Sequence, residues 1–159
     1  MNITIYTDGS SLGNPGTGGY GVVLICGPYR KELSQGYRLT TNNRMELMAV
    51  IVGLEALKIP QSKATVYTDS QYVVNSVEKK WLFTWEKNRF KGKKNADLWQ
   101  RFLKIYRFHT VEFKWVKGHD GNKENERCDQ LAVTAAQSFQ LLEDREYECS
   151  LDANFGIKF

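Results

Sequence analysis

The chain has 159 residues, of which 42% are hydrophobic, 13% aromatic and 25% charged, a mixture that fits one folded domain of ordinary size and excludes wholesale disorder. No apolar run approaches the roughly 20 residues of a membrane span, and the opening Met1-Asn2-Ile3-Thr4-Ile5 lacks the basic start and apolar stretch of a secretory leader. Cys26, Cys128 and Cys149 are odd in number, far apart and without a CxxC pair, so free thiols in a reducing compartment are expected and a structural zinc site is not. The expectation is a soluble, cytoplasmic monomer.

Residues 2–7 (NITIYT) alternate and are rich in β-branched and aromatic types, predicting a strand. Gly16-x-Gly18-x-x-Gly21 matches the dinucleotide fingerprint letter for letter, but that motif needs a helix to follow it, and here a strand follows (residues 20–26, YGVVLIC). The glycines are therefore read as a hairpin turn and a nucleotide site is rejected. Residues 31–39 form the hairpin partner, and 43–57 form a helix closed by Pro60. A strand over 63–68 and a short helix from 70 to 77 follow.

From Lys79 to Lys94 the sequence is KKWLFTWEKNRFKGKK, seven basic residues against one acid, a local charge of +6. The whole chain carries +4, so the remainder carries +4 − 6 = −2 and the excess is one patch. A charge run alone reads as a solvated face on a short helix. Trp81, Phe83, Trp85 and Phe90 interleave with the cations, and that pattern also suits a nucleic-acid surface, where cations such as Lys87 and Arg89 neutralise phosphates and rings pack on sugars or bases.

Beyond the patch, residues 97–108 read as helix, 110–116 as strand and 124–142 as a final helix. Residues 143–159, with five acids and two bases, read as a partly ordered tail. Three leading strands followed by alternating helices and strands predict an α/β fold, a mixed sheet with helices on its faces. Residues 1–142 would be the functional domain, with 79–94 as its basic handle.

Two strands end alike: Ile5-Tyr6-Thr7-Asp8-Gly9-Ser10 and Val66-Tyr67-Thr68-Asp69-Ser70-Gln71. Each aspartate lies two residues beyond its tyrosine, so both project from matching strand faces, and in parallel neighbours both would sit at the C-terminal sheet edge where open α/β sheets bind ligands. For either one alone, capping the following turn or helix is the commoner role. Glu46 heads an almost wholly apolar helical stripe (Ala49, Val50, Gly53), with a capping box from Asn43 as its competing role. Asp129 faces Ala132, Val133 and Ala136, and alone reads as an ordinary boundary position. Four inward acids would repel one another unless cations neutralise them, and carboxylates without a Cys or His cluster select hard ions such as Mg²⁺ or Mn²⁺. With the basic aromatic patch, this suggests two-metal phosphoryl transfer on a nucleic acid.

TDGSSLGNPGTGGYG, TTNNRMELMA, TDSQYV and WVKGHDGNKENERCDQLA, in one order from Ile3 to about Ala136, closely resemble the bacterial type I ribonucleases H. The resemblance implies a five-stranded mixed sheet flanked by helices, and cleavage of the RNA strand of RNA–DNA hybrids to 5′-phosphate and 3′-hydroxyl ends. It implies that Asp8, Glu46, Asp69 and Asp129 are catalytic acids holding two Mg²⁺ ions, with Mn²⁺ as a substitute. It points to His119 as a proton shuttle or product-release aid, although a loop histidine is more often simply exposed. Asn14, Asn42, Asn43 and Gln71 fall on family positions that contact the hybrid, with Ser11 nearby; their ordinary roles are turn and cap residues. The basic segment corresponds to the family's substrate-binding handle, with Trp81 and Trp85 near the DNA strand. Asp120 stands where the bacterial pattern has a small neutral residue, and the handle is shorter than in the best-known members. The rival readings are a hybrid-binding module without catalysis and a DNA-directed nuclease or strand-transferase on the same sheet.

Overall fold

In the computed structural model, which describes residues 2–118 and 121–154, strands β1 (Asn2–Leu12), β2 (Gly16–Cys26) and β3 (Tyr29–Thr40) form an antiparallel meander. There follow α1 (Asn42–Glu55), β4 (Lys63–Thr68), α2 (Gln71–Glu78), α3 (Trp81–Lys87), α4 (Ala96–Tyr106), β5 (Thr110–Trp115), α5 (Lys123–Ala136), β6 (Leu141–Leu142) and α6 (Arg145–Asn154). The sheet order is β5-β4-β1-β2-β3-β6, with β4 parallel to both β1 and β5, and β6 parallel to β3. The expected α/β fold is present, with the two residues of β6 as a sixth strand.

The sheet is covered on both faces. Ile5, Val22 and Val66 pack with α1 and α4 into one apolar cluster that includes fully buried Met45, Leu47, Ile51, Leu54, Trp99 and Phe102. On the other face α5 lies across β1, β2 and β3, with Cys128, Ala132 and Ala136 buried beneath it. Period-2 alternation assigns the faces: odd residues of β1 such as Ile5 meet α1, and even ones such as Asp8 share the α5 side.

Three boundaries differ from expectation. The glycines 16, 18 and 21 lie within β2 and do not form a turn. A Cβ at Gly21 would stand 2.2 Å from the Cys128 carbonyl oxygen, so the missing side chain is what lets α5 lie on the strand. The last predicted helix stops at Ala136, because Leu141 and Leu142 pair with Gly36 and Tyr37 of β3. Residues 145–154 of the expected tail are helical, tied to β3 by Arg38, which donates three hydrogen bonds to Glu148 at 2.8–3.2 Å.

Candidate active site

The register that pairs Ile5 with Val66 and Tyr6 with Tyr67 carries the duplicated segments side by side, so Asp8 and Asp69 reach the same sheet edge at the same height. Asp8 is paired with Gly21 in the β1–β2 ladder and is held by the Gly9 N–H, which donates to its Oδ1 at 2.9 Å. Asp69 lies one residue beyond the end of β4 and is fixed by other means. The Trp115 indole N–H donates to its carbonyl oxygen at 3.1 Å, and the Thr68 hydroxyl accepts from the next N–H, Ser70, also at 3.1 Å. Ser70 in turn caps α2 by accepting from Val73 N–H. A side chain at Gly118 would begin 2.9 Å from Asp69 Oδ2.

Glu46 arrives from the opposite face, in the first turns of α1. The helix is capped by Thr41, whose hydroxyl accepts from Arg44 N–H, so Asn43 is not the N-cap that the competing capping-box role of Glu46 requires. Its approach depends on Gly9: a Cβ there would lie 2.3 Å from Glu46 N and 2.4 Å from Met45 C. The two glycines beside and across from Asp8 thus seat the two helices that carry the remaining acids.

Carboxylate oxygens of Asp8, Glu46 and Asp69 all lie within 4.8 Å of one another. Asp129 stands outside that trio but lines the same small pocket with Asp8, Asp69, Asn122 and Asn125. Glu46 is 5% exposed, and Asp8, Asp69 and Asp129 are half-buried. Burial, followed by the neighbouring charge of Asp69, pushes the Asp8 carboxyl up to about 8. Burial, then Asp8 and Asp69, holds Glu46 well above the usual carboxylate range. Among the described residues, Glu46 Oε2, Asp69 Oδ1 and Asn125 Oδ1 are buried without a hydrogen-bond partner. Unpaired buried oxygens of this kind are costly, and an all-oxygen set with unspent lone pairs suits a hard divalent cation. The donor chemistry therefore fits Mg²⁺ or Mn²⁺.

The other candidates fall into two groups. Asn14, Asn42, Asn43 and Gln71 are exposed around this edge, with the Asn14 side-chain oxygen accepting from Asn42 N–H at 3.1 Å; the Ser11 hydroxyl donates to the Gly13 carbonyl. In the handle, Leu82 and Phe90 are buried and anchor α3, whereas Trp81 is 45% exposed with the Lys79 ammonium 5.3 Å from its ring centre. Trp85 is half-buried, packed edge-on against Trp99 at 6.0 Å with Lys93 over its ring, so it presents less surface than Trp81. Lys87 and Arg89 are exposed. His119 and Asp120 lie outside the described residues. The support of Asp69 by Trp115 is not legible in the sequence, since an indole bonding a carbonyl 46 positions away leaves no local pattern.

Comparison with known proteins gives this arrangement its relatives. The RNase H family model matches residues 1–137. The chain belongs to the ribonuclease H family. The ribonuclease H of Desulforamulus reducens is 59% identical over 140 residues, covering 85% of this chain and 87% of that protein. That of Trichodesmium erythraeum is 56% identical over 151 residues, covering 92% and 96%. Among solved structures, LC9-RNase H1, described as a type 1 RNase H with the type 2 active-site motif, is 33% identical with a TM-score of 0.76 over 98% of this chain and 82% of its own. LC11-RNase H1, solved in complex with an RNA/DNA hybrid, is 26% identical with a TM-score of 0.60, covering 84% and 96%. As a ribonuclease H, the chain is a hydrolase of phosphodiester bonds. Among the described residues no helix is long and apolar enough to cross a membrane.

Proposed function

We propose that this ribonuclease H cuts the RNA strand of RNA–DNA hybrids internally, leaving 5′-phosphate and 3′-hydroxyl ends, at the site formed by Asp8, Glu46, Asp69 and Asp129. The observation that carries the reading is the convergence of three carboxylates within 4.8 Å, two of them with a buried oxygen that has no hydrogen-bond partner among the described residues. Asp8, Glu46, Asp69 and Asp129 would together hold two divalent ions, Mg²⁺ or Mn²⁺ in its place. When bound, such ions supply an activated water and neutralise charge on the leaving oxygen. The chain's own part is to hold the acids in register before substrate arrives: Gly9 N–H and Trp115 N–H fix Asp8 and Asp69, and the seated helices fix the other two.

Substrate choice belongs to the surrounding polar residues. Ser11, Asn14, Asn42, Asn43 and Gln71 offer neutral donors and acceptors suited to sugar 2′-hydroxyls and backbone, the feature that separates RNA from DNA. Trp81 and Trp85, with Lys87 and Arg89, offer a cationic aromatic surface for the DNA strand. His119 is assigned a proton-shuttle or product-release role on the resemblance alone. The hybrid held by LC11-RNase H1 supports the choice of substrate.

The test is incubation of the purified chain with labelled hybrid in Mg²⁺, beside EDTA, duplex RNA, duplex DNA and Asp8→Asn lanes, with end analysis of the products. Loss of RNA only in the hybrid, only with metal and only with Asp8 intact is expected. Cleavage of duplex DNA, or binding of hybrid without cleavage, would sink the reading.

A further inference from the structure

The C-terminal segment holds a buried cation that lies outside the carboxylate site. Arg44, in the first turn of α1 between Asn43 and Glu46, is only 3% exposed. All five of its N–H groups are spent on three side chains. Nε and Nη2 donate to Asp144 at 2.8 and 2.9 Å; Nη1 and Nη2 donate to Asp97 at 2.9 and 2.7 Å; Nη1 also donates to Asn95 at 3.3 Å. Asp144 is itself 5% exposed and takes a further bond from the Thr40 hydroxyl at 2.7 Å. The Tyr147 ring closes the cluster, with its centre 5.7 Å from the guanidinium carbon. A guanidinium has five donors and no acceptor, so this one is saturated in a single geometry.

The knot joins three pieces of chain: the start of α1, the start of α4 just after Lys93 and Lys94, and the segment from Asp144 into α6. The same three pieces, with Asn14 and Pro15 from the connection between β1 and β2, line one surface cleft of about 750 Å³. Its lining includes Asn14 and Asn43, Lys93 and Lys94, and Tyr147. Resting on the proposed hybrid substrate, we infer that Asp144 is a positioning residue for substrate binding, setting through Arg44 the separation between the asparagine wall and the lysine wall. Residues 143–154 then belong to the catalytic unit and not to an appended tail. The geometry is specific: Asn at position 144 would present one acceptor oxygen where three donors converge, and the amide nitrogen would face a cation.

Breaking a buried pair also destabilises the fold, so the test separates binding from stability. Kinetics with labelled hybrid would be measured well below the melting temperature for wild type, Asp144→Asn, Tyr147→Leu and Leu54→Ala, the last a core variant with loss of stability but no contact with the knot. The expected result is a KM raised about fivefold in Asp144→Asn and about twofold in Tyr147→Leu, with kcat within about twofold of wild type, while Leu54→Ala keeps the wild-type KM. A KM in both knot variants no higher than in Leu54→Ala, or a loss falling wholly on kcat, overturns the inference. If Asp144→Asn does not fold, Tyr147→Leu decides alone. Wild type that fails to cleave hybrid would refute the functional reading itself, a result distinct from cleavage with an unmoved KM.

Discussion

Tyr6 and Tyr67 are register partners across the parallel pair β1–β4, and their rings stack 4.9 Å apart at an interplanar angle of 16°. Each stands two residues before an acid of the site, so the stack lies on the same face as Asp8 and Asp69 and clamps the register on which their meeting depends. A one-residue slip would turn Asp69 to the opposite face. In a double-mutant cycle of Tyr6→Leu and Tyr67→Leu, a coupling of about 1 kcal/mol is expected from denaturant unfolding. Strict additivity would show that the ladder alone sets the register.

The two glycines around Asp8 make a sharper prediction. Gly9→Ala drives a methyl into the backbone of Met45 and Glu46, where no flexible side chain can yield. It should destabilise by about 3 kcal/mol or more, as overpacking against backbone does, and cut hybrid cleavage at least ~100-fold through displacement of Glu46. Gly21→Ala should do the same through α5 and Asp129. Melting and single-turnover cleavage would check both; a stable, fully active Gly9→Ala protein would show that α1 can retreat without cost.

Those glycines also show which parts of the site were legible in the sequence. Asp8 and Asp69 were visible because strand alternation is local and the segment is written twice. Glu46 was visible because a carboxylate heading an apolar stripe stands out. Gly21 was read as part of a turn, since turn propensity is local whereas its role depends on a helix more than a hundred residues later, at Cys128. Leu141 and Leu142 continue an apolar helical pattern, and only the free edge of β3 makes them a strand. Nothing local in the sequence marks Arg44 as buried, because its burial requires two acids, Asp97 and Asp144, from distant segments. Pairings of that kind leave no periodicity to read.

Removing the metal should make the fold pH-sensitive in a definite direction. With its carboxyl pushed up to about 8 by burial and then by Asp69, Asp8 stays protonated in the folded chain at pH values where the unfolded chain, with an ordinary aspartate near about 4, has already ionised. The unfolded state therefore binds fewer protons, and stability falls as pH rises from about 4 to about 8. Glu46, shifted the same way, adds to the trend. Melting temperatures in EDTA should drop across this range, recover on adding Mg²⁺, and vary less with pH in Asp8→Asn protein. An EDTA profile identical in wild type and variant would remove Asp8 as the cause.

His109 works in the opposite sense and far from the site. It is 9% exposed; its Nδ1 accepts from Ser62 N–H at 3.1 Å, and its Nε2 has no hydrogen-bond partner among the described residues. Burial lowers its pKa from the ordinary value, so the folded form keeps it neutral while the unfolded chain takes up a proton. Its contribution is complete above about pH 6.5 and is lost as pH falls through the lower folded value. His109→Gln, which retains an acceptor for Ser62, should flatten stability as pH falls below about 6.5 in urea titrations. An unchanged acid limb would assign that loss to other groups.

The handle makes a prediction about salt. Lys87 and Arg89 are exposed beyond the buried anchors Leu82 and Phe90, so neutralising them removes phosphate contacts without touching the core. For Lys87→Ala and Arg89→Ala, the log–log dependence of hybrid affinity on salt should become shallower by about 1 per lost contact, with KM rising and kcat unchanged at saturating substrate. Trp81→Ala should weaken binding by about 1–3 kcal/mol at every salt concentration, because ring packing releases no counterions. Titrations from about 50 to 200 mM salt separate the two effects. If the slope stays fixed when both cations are gone, the basic segment is a solvated face and the hybrid lies elsewhere.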